Sequence, residues 1–75
     1  MATVKQAIGE VDVVAFGQPI AKVEGVGQWP TGTRGTVVSD YGDHKEVEIS
    51  NDRGVALDFV IVPVEQLQLI TKHSL

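Results

Sequence analysis

A chain of 75 residues has room for one domain, and a domain near this size is marginally stable because it buries a modest share of its surface. Its 43% hydrophobic and 21% charged residues are those of an ordinary globular protein, and zero cysteines exclude disulfides and thiolate–metal staples. A net charge of −4 argues against a phosphate-tracking surface, which needs clustered Lys and Arg.

Residues 1–10 are weakly patterned. Val4, Ala7 and Ile8 fall at helical spacing, but Gly9 follows and the segment is too short for a stable helix, so an arm that docks on the domain is expected. This start lacks the apolar core of a signal peptide, and no apolar run approaches membrane-spanning length, so the expectation is a cytoplasmic protein without membrane contact. Residues 11–16 read as a first strand, apolar on both faces around the lone Asp12, and Gly17-Gln18-Pro19 ends it. Residues 20–31 form a long excursion. Val23 and Val26 are its apolar points, and Gly25, Gly27 and Pro30 break its regularity.

The run Gly32-Thr33-Arg34-Gly35-Thr36-Val37-Val38 predicts a sharp corner entering a strand, with Gly32 and Gly35 as the corner residues. The strand continues to residue 40 and turns at Tyr41-Gly42-Asp43. The next strand alternates cleanly: Glu46, Glu48 and Ser50 on a wet face, Val47 and Ile49 on a buried one. Asn51-Asp52-Arg53-Gly54 is a turn, and residues 55–62 form a fourth strand. There Val55, Leu57, Phe59 and Ile61 supply the expected core face, with Ala56, Asp58, Val60 and Val62 on the outer one. Pro63 has no N–H to donate and ends the ladder. Residues 63–67 read as one helical turn, 68–71 as a short last strand and 72–75 as a tail.

The expected fold is mainly β: a small five-stranded SH3-like barrel over residues 11–71, with one helical turn before the last strand. Asp12-Val13-Val14-Ala15, the glycine corner 32–38, Glu46-Val47-Glu48-Ile49, Asp52-Arg53-Gly54 and Pro63-Val64-Glu65-Gln66-Leu67 follow in order. In these the chain resembles a bacterial family of small SH3-like domains of unknown function, over residues 11–70. The insert carrying Trp29 and residues 1–10 depart from that pattern. A weaker likeness runs to KOW-type barrels, which share a glycine corner leading into a Val-rich strand; it implies nucleic-acid binding as the alternative function. Lys5, Lys22, Arg34, Lys45, Arg53 and Lys72 are, however, scattered along the chain.

No constellation predicts an enzyme, a metal or a cofactor. Asp40, Asp43, His44, Glu46 and Glu48 gather near one turn, but their spacing matches no Ca²⁺ loop, and a solvated hairpin tip is the plainer reading. Gly32-x-x-Gly35 precedes a strand instead of joining two helices as the KH loop does, and Gly25-x-Gly27 lacks the rest of a dinucleotide fingerprint. Ser39 and Ser50 lie in no nucleophile elbow; His44 and His73 lie in a turn and the tail.

What remains is a non-enzymatic interaction module whose partner is a protein or a second copy. Trp29 either plugs the open end of the barrel, the more common outcome, or joins Tyr41 in a contact surface, too few aromatics for a Pro-peptide groove. Because residues 11–16 and 55–62 are apolar on both faces, Val14, Phe16, Val60 and Val62 are expected on an outer face. The arm with Val4 and Ile8, or an identical subunit, would cover them.

Overall fold

The computed structural model describes residues 7–73. Val4 and the rest of residues 1–6 lie outside the described residues. The strands are β1 (Val13–Phe16), β2 (Ile20–Ala21), β3 (Gln28–Trp29), β4 (Arg34–Asp40), β5 (His44–Ser50), β6 (Ala56–Pro63) and β7 (Leu67–Thr71), with a 3-10 turn at Val64–Gln66. Five of them form one antiparallel sheet in the order β6-β5-β4-β1-β7, and β2 pairs with β3 as a small hairpin. The fold is mainly β and SH3-like in this order, with its single helical turn just before the last strand. No helix among the described residues is long and apolar enough to cross a membrane.

One cluster forms the core: Ile8, Val14, Phe16, Val37, Val47, Ile49, Val60, Val62 and Leu67, with Ile20, Trp29, Val64 and Leu69 packed against it. This corrects the expected facing of β6. Val60 and Val62 are at most 1% exposed, whereas Val55, Leu57, Phe59 and Ile61 are 56%, 44%, 46% and 60% exposed. Val14 and Phe16, also expected outside, are core residues.

The physical reason for the inversion is a single β-bulge. At the turn end Ser50 pairs with Ala56, but the next pair is Ile49 with Asp58, followed by Val47 with Val60 and Lys45 with Val62. Leu57 is the extra residue. Had the first pairing continued unbroken, Ile49, Val47 and Lys45 would face Leu57, Phe59 and Ile61, the face that hydrophobicity alone selects. One residue of slip turns every side chain of a strand over, and the bulge supplies that residue.

β1 begins later than expected because Val11 adopts φ 66, a left-handed conformation in the turn before Asp12. At the corner, Gly32 has φ 89 and donates its N–H to the Phe16 carbonyl at 2.8 Å. Gly35 meets a different demand: a Cβ there would lie 2.4 Å from Val47 Cγ1 and 2.6 Å from the Glu48 carbonyl oxygen. The β4 backbone crosses β5 closely only because this position has no side chain. In the long excursion, Val23 and Val26 are exposed at the tip of the β2–β3 hairpin.

Candidate functional site

Three charged side chains reach the interior. Asp12 and Asp58 are each 1% exposed and Lys45 is 5% exposed. A buried charge is tolerated only when paired or saturated with hydrogen bonds, and each of the three meets that condition.

Asp58, on the inner face of β6, gathers the long loop. Its Oδ2 accepts from the Val23 N–H and the Trp29 Nε1–H, both at 2.9 Å. Its Oδ1 accepts from the Glu24 N–H at 3.1 Å and the Phe59 N–H at 2.9 Å. Burial pushes this carboxyl up, but the bonds from Trp29, Val23, Glu24 and Phe59 outweigh it and hold it below the usual carboxylate value. Trp29 is thereby placed: half-buried against the core, indole nitrogen on Asp58, ring covered by the Lys22 ammonium 4.6 Å from its centroid. It seals the end of the core.

Asp12 gathers the chain ends. Its Oδ2 accepts from the Gly9 N–H and the Lys72 ammonium, both at 2.8 Å, and its Oδ1 from the His73 N–H at 2.6 Å. The Lys72 bond, then those from Gly9 and His73, hold its pKa at about 2. Lys72 also donates to the Ala7 carbonyl at 2.6 Å. Lys72 and His73 therefore belong to the folded unit instead of forming a tail. Lys45 extends along the inner face of β5 and pairs with Asp40, whose carboxyl it holds below its ordinary value together with the Gly42 N–H.

The outer surface of the same strands carries the candidate site. Leu57, Phe59 and Ile61 form an exposed apolar ridge along β6, and Val55 is exposed in the turn before it. Glu48 and Glu46 of β5 pair with Phe59 and Ile61, so a column of two carboxylates borders it. Beyond them, Thr36 and Ser39 of β4 stand opposite Glu48 and Glu46. Exposed Tyr41 donates its hydroxyl to Glu46 Oε1 at 3.4 Å, which joins it to the acidic border.

Of the residues expected to contact a partner, Tyr41 alone lies beside this surface. Val14, Phe16, Val60 and Val62 are in the core, and Trp29 is committed to Asp58. The apolar alternation of Leu57, Phe59 and Ile61 is visible in the sequence, but hydrophobicity alone selects it for the interior, and the structure places it outside. Asp40, Asp43 and His44 are engaged pairwise, Asp40 with Lys45 and Asp43 Oδ1 with His44 Nδ1 at 2.9 Å. Among the described residues, no three His, Asp or Glu side chains converge as a metal-binding group. A groove of about 650 Å³ lies elsewhere, between Ala7 and Ile8 on one side and Val64, Leu67 and Leu69 on the other.

Comparison with family models, curated proteins and solved structures finds no match.

Proposed function

We propose that the chain is a non-enzymatic interaction module of the cytoplasm that binds a protein partner or a second copy of itself. The observation that carries the reading is the β6 ridge. Three large apolar side chains, Leu57, Phe59 and Ile61, follow one another on β6 and are 44–60% exposed, while the side chains between them (Asp58 and Val60) are buried. Scattered single apolar residues are normal at a surface, but a contiguous row of them marks a contact site.

The disposition of cations weighs against the nucleic-acid alternative. Of the five within the described residues, Lys22 covers Trp29, Lys45 is buried on Asp40 and Lys72 is bound to Asp12, which leaves Arg34 and Arg53. Phosphate binding draws on several free cations acting together.

The test is site-specific photo-crosslinking in the native host. A photoreactive residue in place of Ile61 should give discrete adducts with another protein or with a second copy, and one in place of Glu65 should not. Equal labelling at both positions would end the reading. A parallel titration of labelled single-stranded RNA and duplex DNA at low salt should show no binding into the tens of micromolar, roughly, a threshold tighter than typical non-specific affinities.

A further inference from the structure

We infer that the partner is a cationic–apolar segment of another protein, and that it lies across the outer face of β6 and β5 with its apolar side chains on Leu57, Phe59 and Ile61 and its Lys or Arg side chains on Glu46 and Glu48. This rests on the interaction-module reading and names the chemistry of the partner.

Three observations lead there. The first is area. With side chains of ordinary size, the exposures of Leu57, Phe59 and Ile61 leave about 300 Å² of apolar surface. Two copies meeting ridge to ridge would bury about 600 Å² in total, short of the roughly 1,200 Å² at which stable interfaces begin. A stable contact must therefore extend past the ridge.

The second is charge. Extending past the ridge means lying on Glu46 and Glu48, the β5 partners of Ile61 and Phe59. A second copy brings its own two carboxylates and its own net charge of −4 to that border. The two cations near this border lie at its end: Arg53, in the turn before Val55, and Arg34 of β4, which lines a small surface pocket with Glu48 and Ser50 and leaves Glu46 without a cation beside it in that pocket. A segment that alternates apolar and basic side chains gains on both columns at once, because like charges placed together oppose docking and opposite charges steer it.

The third decides face over edge. β6 ends the sheet, and an end strand can accept an added strand through its free backbone groups. Here the Phe59 N–H, at the middle of the ridge, already donates to Asp58, and the same carboxylate holds the Val23 and Glu24 N–H groups beside it. An added strand would have to displace that contact. The face is open.

The experiment uses fluorescein-labelled eight-residue peptides of strictly alternating Leu and Lys, and of alternating Leu and Glu, titrated with the full chain by anisotropy. The Leu–Lys peptide should bind at least about tenfold tighter than the Leu–Glu peptide, with an affinity that falls as salt rises. Phe59→Ser, Ile61→Ser and the double variant Glu46→Gln/Glu48→Gln should each weaken it about tenfold, whereas Glu65→Gln should leave it within about twofold. The ridge residues are outside the core, so circular dichroism should find all variants folded. Equal binding of the two peptides, or undiminished binding by the ridge and border variants, overturns the inference. Ridge-dependent dimerisation in sedimentation without Leu–Lys binding overturns it too, while leaving the interaction-module reading standing; absence of Ile61 crosslinks removes that reading itself.

Discussion

Asp12 and Asp58 are equally buried, yet they are satisfied in opposite ways. Asp12 sits on a cation, the half-exposed Lys72, and two backbone N–H groups, and it closes the chain ends onto the start of β1. Asp58 has no cation. Four neutral N–H donors surround it, three of them from a loop about thirty residues away in sequence. A buried carboxylate can be stabilised by a countercharge or by an array of dipoles, and the choice sets what its loss exposes. At the Asp12 corner Lys72 can turn to water, which leaves two backbone donors to be satisfied. At the Asp58 corner three backbone N–H groups and the indole N–H of a half-buried Trp29 lose their acceptor together.

The Asp58 corner should therefore break hardest. Asp58→Ala leaves the Val23, Glu24 and Trp29 donors without their acceptor and should lower stability by about 4 kcal/mol in urea melts. Trp29 emission should shift to the red in the folded state as the loop lifts from the core. A loss under about 1 kcal/mol with unchanged emission would show that the loop does not depend on the carboxylate.

Gly35 belongs to neither corner and serves as the reference. Gly35→Val places side-chain atoms where Val47 and the Glu48 carbonyl already lie, and should lower stability by about 3 kcal/mol with no selective change at Trp29. Gly42, at φ 83 with open space around it, should lose about 1 kcal/mol on Gly42→Ala from backbone conformation alone. Equal, negligible losses at the two positions would place the close β4–β5 crossing elsewhere.

Acid distinguishes the corners further. The Asp12 pKa is lowered from 3.8 to about 2, so its ionised form stabilises the fold fully above the unfolded value, and that contribution is lost as pH falls through the folded one. Wild-type stability should drop between about pH 4 and pH 2. Asp12→Asn should be less stable than wild type at neutral pH, by about 2 kcal/mol, and should lose less across that acid window. Parallel acid slopes for wild type and Asp12→Asn would remove Asp12 from the titration. Asp58, Asp40 and Asp43, also held below their ordinary values, contribute to what slope remains.

The smallest effect has the opposite sign. Val11, next to Asp12, holds φ 66 while its N–H donates to the Val37 carbonyl at 2.7 Å. A β-branched residue is strained there, and Asn adopts that conformation more readily. Val11 is exposed, so Val11→Asn should raise stability by about 0.5–1 kcal/mol. A loss would mean that the Asp12 corner stores no strain.

Much of this was legible in the residues in order. The corner at Gly32 to Gly35 and the run Thr36-Val37-Val38 mark β4, Glu46, Val47, Glu48 and Ile49 show the faces of β5, and Pro63 to Gln66 announce the turn before β7. These are local signals: period, turn chemistry and a missing N–H determine them without reference to distant chain. The two carboxylates carried a weaker signal, each a lone acid inside an apolar run, and nothing nearby said that Lys72 or Trp29 would meet them.

β6 marks the boundary between what the sequence determined and what tertiary structure decided. Its odd positions from Leu57 to Ile61 are all large and apolar, its even ones include Asp58, and by hydrophobicity the odd face belongs inside. The facing is settled by pairing with β5 and by the extra residue at Leu57, which bring Val60 and Val62 against Val47 and Lys45. It also places Asp58 where Val23, Glu24 and Trp29 converge. A strand apolar on both faces has two nearly equivalent ways to lie, and only contacts with distant chain distinguish them. The same choice puts Leu57, Phe59 and Ile61 at the surface.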